Sequence, residues 1–120
     1  MKIQNRKLIL LLISFCSFSI SAQSNIEGVW STGEYNTKIE ISEINGQIKG
    51  KIKSSENEKA EIDKVILKNL KINEDKWIGE IYSVKRKRWY NVVIIPHQEV
   101  LELKIGTGFS SKYLQWKKGK

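Results

Sequence analysis

The pair Asn45-Gly46 interrupts a run of isoleucines spaced two residues apart, and this constrains the fold more than anything else in the chain. Before the pair, Ile39 and Ile41, with Ile44 close by, are separated by Lys, Glu and Ser. After it, Ile48, Gly50 and Ile52 alternate with Lys49, Lys51 and Lys53. Asn and Gly both tolerate the positive φ that a two-residue hairpin turn demands. Side chains on a strand point to opposite faces in turn. Residues 38–44 and 47–53 therefore predict a hairpin with one apolar face and one charged face.

The same period of two runs through the rest of the chain. Residues 28–32 read as a short strand carrying Trp30, and residues 54–61 as a polar loop. Residues 63–72 hold Val65, Ile66, Leu67, Leu70 and Ile72, and fit either a strand or a turn leading into one. A turn over 73–76 precedes a strand over 77–82, a basic connection over 83–87 and a β-rich segment over 88–95. Residues 96–99, which include the single proline, predict a turn; 100–105 alternate again, Gly106-Thr107-Gly108 breaks the pattern, and 111–117 close the chain. About eight short strands with regular turn signals predict an all-β fold, a small antiparallel up-and-down barrel or a sandwich. Barrel closure removes exposed strand edges. An eight-stranded interior is either filled by side chains or holds one small ligand.

The beginning of the chain follows another grammar. Lys2, Arg6 and Lys7 precede the apolar run Leu8 to Ile13, and Ser19-Ile20-Ser21-Ala22 offers small residues for cleavage. Positive, apolar and small-residue regions in this order predict a signal peptide over 1–22, and so an exported protein, periplasmic or secreted. Ser14, Ser17, Ser19 and Ser21 interrupt the apolar run short of the roughly 20 residues that a retained spanning helix needs. Removing 22 of 120 residues leaves one domain of 98, residues 23–120. The only cysteine, Cys16, lies in the leader, so the domain has no disulfide and no thiolate metal site. The leader also carries three of the positive charges, which lowers the formal net charge from +8 to +5. That excess favours anionic partners without naming one.

Order and spacing suggest a family. Gly28-Val29-Trp30 opens the domain, and Gly46 to Ile52 has the form G-x-I-x-G-x-I. Trp77-Ile78-Gly79-Glu80-Ile81-Tyr82 follows Val65 to Leu70, and then come Tyr90, the Leu101 to Ile105 strand, Gly106, Gly108 and Trp116. Over essentially the whole predicted domain, this resembles the DUF2147 family of small exported bacterial proteins. The resemblance implies a lipocalin-like β-barrel and no defined activity. After the Ile-Tyr pair that family tends to carry Asp-Pro and then Gly-Lys, where this chain has Ser83-Val84 and then Lys87-Arg88. The glycine-containing segment before the last tryptophan is also shorter here.

Little in the residues suggests catalysis. His97 is the only histidine, sits beside Pro96 in a predicted turn, and has no orienting partner in view. One histidine and a cysteine-free domain exclude the usual zinc patterns. Glu56, Glu58, Glu61 and Asp63 lack the glycine-centred order of a calcium loop. The expectation is a non-enzymatic protein with no cofactor and no metal. Trp30, Trp77, Tyr82, Tyr90, Phe109 and Trp116 are candidates to line a cavity at a barrel mouth, for a small apolar or amphipathic ligand or an envelope component. Large aromatics also fill small barrels, and Trp30 with Trp116 could plug a closed end. Lys85, Arg86, Lys87 and Arg88, next to Trp89 and Tyr90, are the conspicuous basic feature. They read as a solvated hairpin tip or as a surface for an anionic polymer or an envelope protein. Export disfavours nucleic acid as the partner.

Overall fold

A computed structural model of the chain describes residues 25–119. The predicted leader, its cleavage site and Cys16 lie outside the described residues. Eight strands follow in order: β1 (Gly28–Ser31), β2 (Lys38–Ile44), β3 (Gln47–Ser54), β4 (Val65–Asn73), β5 (Lys76–Ser83), β6 (Arg88–His97), β7 (Val100–Gly106) and β8 (Ser111–Lys118). Each pairs antiparallel with the next, and β8 returns to β1, which closes an up-and-down barrel.

The alternation read from the isoleucines is the wall of this barrel. Ile39 faces Ile52 and Ile41 faces Gly50 across the β2–β3 hairpin, with the side chains of Ile39, Ile41 and Ile52 almost wholly buried. Leu101, Leu103 and Ile105 on β7 meet Trp116, Leu114 and Lys112 on β8, so the inner face becomes polar only at the rim. Outward positions are polar at Lys68 with Glu80, Glu80 with Asn91 and Glu102 with Gln115, and apolar or aromatic at Ile78 with Val93 and Tyr82 with Trp89. The apolar interior contrasts with the polar lumen of a lipid-spanning barrel. Among the described residues no polar or charged side chain is buried. Each fully buried leucine or isoleucine contributes about 1.5–3 kcal/mol.

The ambiguous stretch is strand β4, entered at Val65 and broken inside. Leu67 faces Ile81 and Lys68 faces Glu80, but the next pair is Lys71 with Ile78. The extra residues form a bulge around Asn69, whose φ is 55°. Gly79 lies opposite. A Cβ there would stand 2.7 Å from Leu70 Cδ2 and 2.8 Å from the Lys68 carbonyl oxygen, so the bulge fits only against glycine.

Pro96 corrects one expectation, because it lies in β6 and the turn is Gln98-Glu99 alone. The β5–β6 ladder ends at Trp77 with Ile94, whereas the β6–β7 ladder continues through Pro96 with Leu101 to His97 with Val100. Beyond Ile94, β6 is an edge on its β5 side. A missing N–H is tolerated at an edge, which is where prolines occur in sheets.

The barrel has two unlike ends. At the hairpin end, two-residue turns at 45–46, 74–75 and 98–99 join the strands, and Ile26 is buried. At the loop end, residues 32–37, 55–64, 84–87 and 107–110 make the connections.

Candidate functional site

The interior is occupied. Trp30 and Trp116 are both buried in the core, and the Trp30 indole Nε1 donates to the Ile26 carbonyl at 2.9 Å. The Lys118 ammonium lies 4.7 Å from the centre of the Trp30 ring and covers it at the hairpin end. These two tryptophans plug the barrel.

The six candidate aromatics therefore do not form one site. Trp77 is half-buried at the hairpin end, and Tyr90, across from Ile81 on the inner face, is half-buried toward the loop end. Tyr82 is on the outer wall opposite Trp89, the rings 5.3 Å apart and edge to face. Phe109 stands fully exposed at the tip of the β7–β8 turn. That turn is held by the Thr107 amide and hydroxyl, both donating to the Ser110 carbonyl at 3.0 Å.

The basic segment is a tight, exposed turn. The Arg86 amide donates to Ser83 Oγ at 3.1 Å and the Lys87 amide to the Ser83 carbonyl at 2.7 Å. Lys87 takes a φ of 57°, which turns the chain into Arg88. The Arg88 guanidinium then lies 5.4 Å from the Tyr90 ring centre. Below the turn, Lys64 sits 4.6 Å over the Tyr82 ring and Lys68 4.0 Å over the Trp89 ring. Cations are attracted to the negative faces of aromatic rings. The Tyr82–Trp89 pair thus anchors two lysines from β4 and the loop before it, rather than offering bare rings for stacking. Lys64 and Lys68, over the outer rings of Tyr82 and Trp89, and the exposed turn 85–87 that follows β5 make one basic strip, whereas Arg88 lies over Tyr90 on the inner face at the loop end. Glu80 meets the lower edge of the strip, 3.9 Å from Lys68 Nζ and accepting from Asn69 Nδ2 at 3.1 Å.

The β1–β2 and β3–β4 loops of the same end are net acidic even with Lys59 and Lys64 among their residues. The β1–β2 and β3–β4 loops are tied together by Thr37 Oγ1 with Ser55 Oγ at 2.7 Å and by the Glu56 amide donating to the Tyr35 carbonyl at 2.8 Å. They carry Glu34, Glu56, Glu58, Glu61 and Asp63. This loop-end separation of charge gives the domain an electrostatic polarity.

Sequence reasoning missed Lys64 and Lys68 as members of the basic surface. Only the pairing of β4, β5 and β6 brings them beside Tyr82 and Trp89. Sequence reasoning also left His97 without a partner. Its Nε2 lies 3.3 Å from Glu102 Oε1, on the open outer wall where both side chains are about half exposed. Among the described residues, no three His, Asp or Glu side chains gather as a metal-binding group, and no helix is long and apolar enough to cross a membrane.

Two open hollows flank the bulged half of β4. One, between β4 and β5, is lined by Asn69, Lys71, Ile72, Asn73, Ile78, Gly79 and Glu80. The other lies between β3 and β4, over Gly46, Gln47, Ile48, Asn69, Leu70, Lys71, Ile72 and Trp77. Comparison of the chain with protein-family models, with curated proteins and with solved structures found no match.

Proposed function

We propose that the domain is a non-enzymatic, solid-core module of the cell envelope that holds an anionic polymer against its basic wall. The observation that carries this reading is the basic strip of Lys64, Lys68 and the turn cations Lys85, Arg86 and Lys87, with Arg88 beside it at the loop end, set on a barrel whose interior Trp30, Trp116 and the branched aliphatic residues already fill. Such a module recognises charge density along an extended partner. Anchoring Lys64 and Lys68 on aromatic rings reduces the side-chain entropy lost on binding. The acidic loops next to the strip orient the partner by repelling it from the rest of the loop end. The resemblance to the DUF2147 family and the predicted leader belong to the same proposal, and both set the encounter outside the cytoplasm.

Dextran sulfate and uncharged dextran are suitable probes for the mature protein. Binding should be confined to the sulfated polymer, and log K should fall linearly with log salt as counterions are released. Replacing Lys85, Arg86, Lys87 and Arg88 together with glutamine should weaken binding and flatten that slope. Replacing Lys49, Lys51, Lys104 and Lys117, elsewhere on the wall, should do much less. Equal losses from the two quadruple variants would mean that net charge acts without a site, and the proposal would fail.

A further inference from the structure

The β3–β4 seam is where the barrel wall opens. Its ladder consists of Gly50 with Leu67 and Lys51 with Val65, all toward the loop end. Two backbone bonds extend it in that direction, from the Ile52 amide to the Lys64 carbonyl at 3.1 Å and from the Asp63 amide to the Ile52 carbonyl at 2.7 Å. Toward the hairpin end, residues 47–49 of β3 pair only with β2, and residues 68 and 71–73 of β4 pair only with β5. The left-handed turn of the backbone at Asn69 carries β4 away from β3. The hollow left between them has a volume of about 450 Å³, within the range of roughly 300–1,000 Å³ typical of small-molecule sites.

The lining of this hollow has a definite chemistry. Ile48, Leu70 and Ile72 supply an apolar surface, and Gln47, Asn69 and Lys71 supply polar groups around it. Trp77 also lines it, and its indole Nε1 is buried without an acceptor, alone in this among the buried side-chain nitrogens and oxygens of the described residues. A buried donor left unpaired costs about 1–3 kcal/mol, and a ligand that supplies the acceptor recovers that cost. The hollow contains no Asp or Glu, and its one charged group is the Lys71 ammonium. An acceptor-bearing, negatively charged head on an apolar body is the ligand complementary to this set.

The geometry points to a site for a small amphipathic carboxylate at the β3–β4 seam, with its tail against Ile48, Leu70 and Ile72 and its head on the Trp77 indole N–H and Lys71. The site lies at the hairpin end, where β3 and β4 part beside the Gly46-Gln47 turn. It is also separate from the basic strip, whose indole is Trp89.

Decanoate below its micellar concentration, added to full-length exported protein with ¹⁵N-labelled tryptophan, tests the site. The indole resonances distinguish the places where the probe can bind. The Trp77 Nε1–H signal should move downfield and saturate, while those of Trp30 and Trp116 stay in place. Decyltrimethylammonium, with the same tail and the opposite charge, should leave Trp77 unmoved. Lys71→Gln should weaken decanoate binding severalfold, and Trp77→Phe should weaken it about tenfold, as expected for one hydrogen bond to a charged acceptor. An unmoved Trp77 signal, a shift at Trp89 in its place, an equal response to the cationic probe, or full affinity in the exposed-site variant Lys71→Gln would each overturn the assignment.

Discussion

The wall formed by β6, β7 and β8 and the seam between β3 and β4 belong to one barrel but are built by different rules. In the wall, β7 is paired along its whole length on both sides, from Val100 to Gly106. Its inward side chains Leu101 and Leu103 are wholly buried. At the seam two ladder pairs hold the strands, one of them through Gly50, where a Cβ would stand 2.8 Å from Leu67 Cδ1. The wall spends its sequence on regular alternation, and rigidity follows. The seam spends its sequence on a bulge, a glycine contact and an unpaired indole. The lesson is that a closed barrel need not be uniform, and that the place where its pairing lapses is where its surface acquires shape.

The largest expected difference between the two regions is in hydrogen exchange. Amides of β7 should exchange only through global unfolding, whereas those on the unpaired sides of 47–49 and 68–71 should exchange through local opening, orders of magnitude faster. Equal protection would show that the seam is as firmly held as the wall. Core truncation comes next. Leu103→Ala should lower stability in urea by about 3 kcal/mol, against roughly 1 kcal/mol for Ile72→Ala beside the hollow. The two indoles sharpen the contrast further. Trp30→Phe removes the bond to the Ile26 carbonyl and should cost about 2 kcal/mol more than Trp77→Phe, which relieves an unpaired donor. Thermal melts of the two variants check this, and equal costs would show that the Trp77 nitrogen is satisfied after all. The smallest effect belongs outside both regions. Phe109→Ala, at a fully exposed tip, should leave stability within about 0.5 kcal/mol of the parent.

Fold legibility tracks the same division. The β2–β3 hairpin and β7 were readable because alternation and the Asn45-Gly46 turn act locally, and local rules survive without tertiary knowledge. Pro96 was misread as a turn residue because its tolerance depends on where β5 stops, a fact about another strand. Strand β4 stayed ambiguous because its bulge breaks the period of two, and the compensating glycine, Gly79, lies ten residues on from Asn69. The basic turn at 85–88 was legible as a cluster of charge. Its companions Lys64 and Lys68 were not, since cation and ring come together only across strands. The aromatic residues were the least legible, because composition does not say which side of a wall a tryptophan faces.

The way the barrel shuts has a kinetic meaning. Seven of its eight seams join neighbours in the chain, while the eighth brings Trp30 to Lys118 and Ser31 to Lys117. Loop-closure entropy is therefore small and local everywhere except at that last seam, where nearly the whole domain is the loop. Hairpins can form in any order at little entropic cost, but β1 has no partner on its outer side until β8 exists. A chain emerging N-terminus first would carry Trp30 without its β8 neighbours until that strand arrives. Strand β8 thus acts as the timing element of the fold, and the commitment to the native state waits for its eight residues.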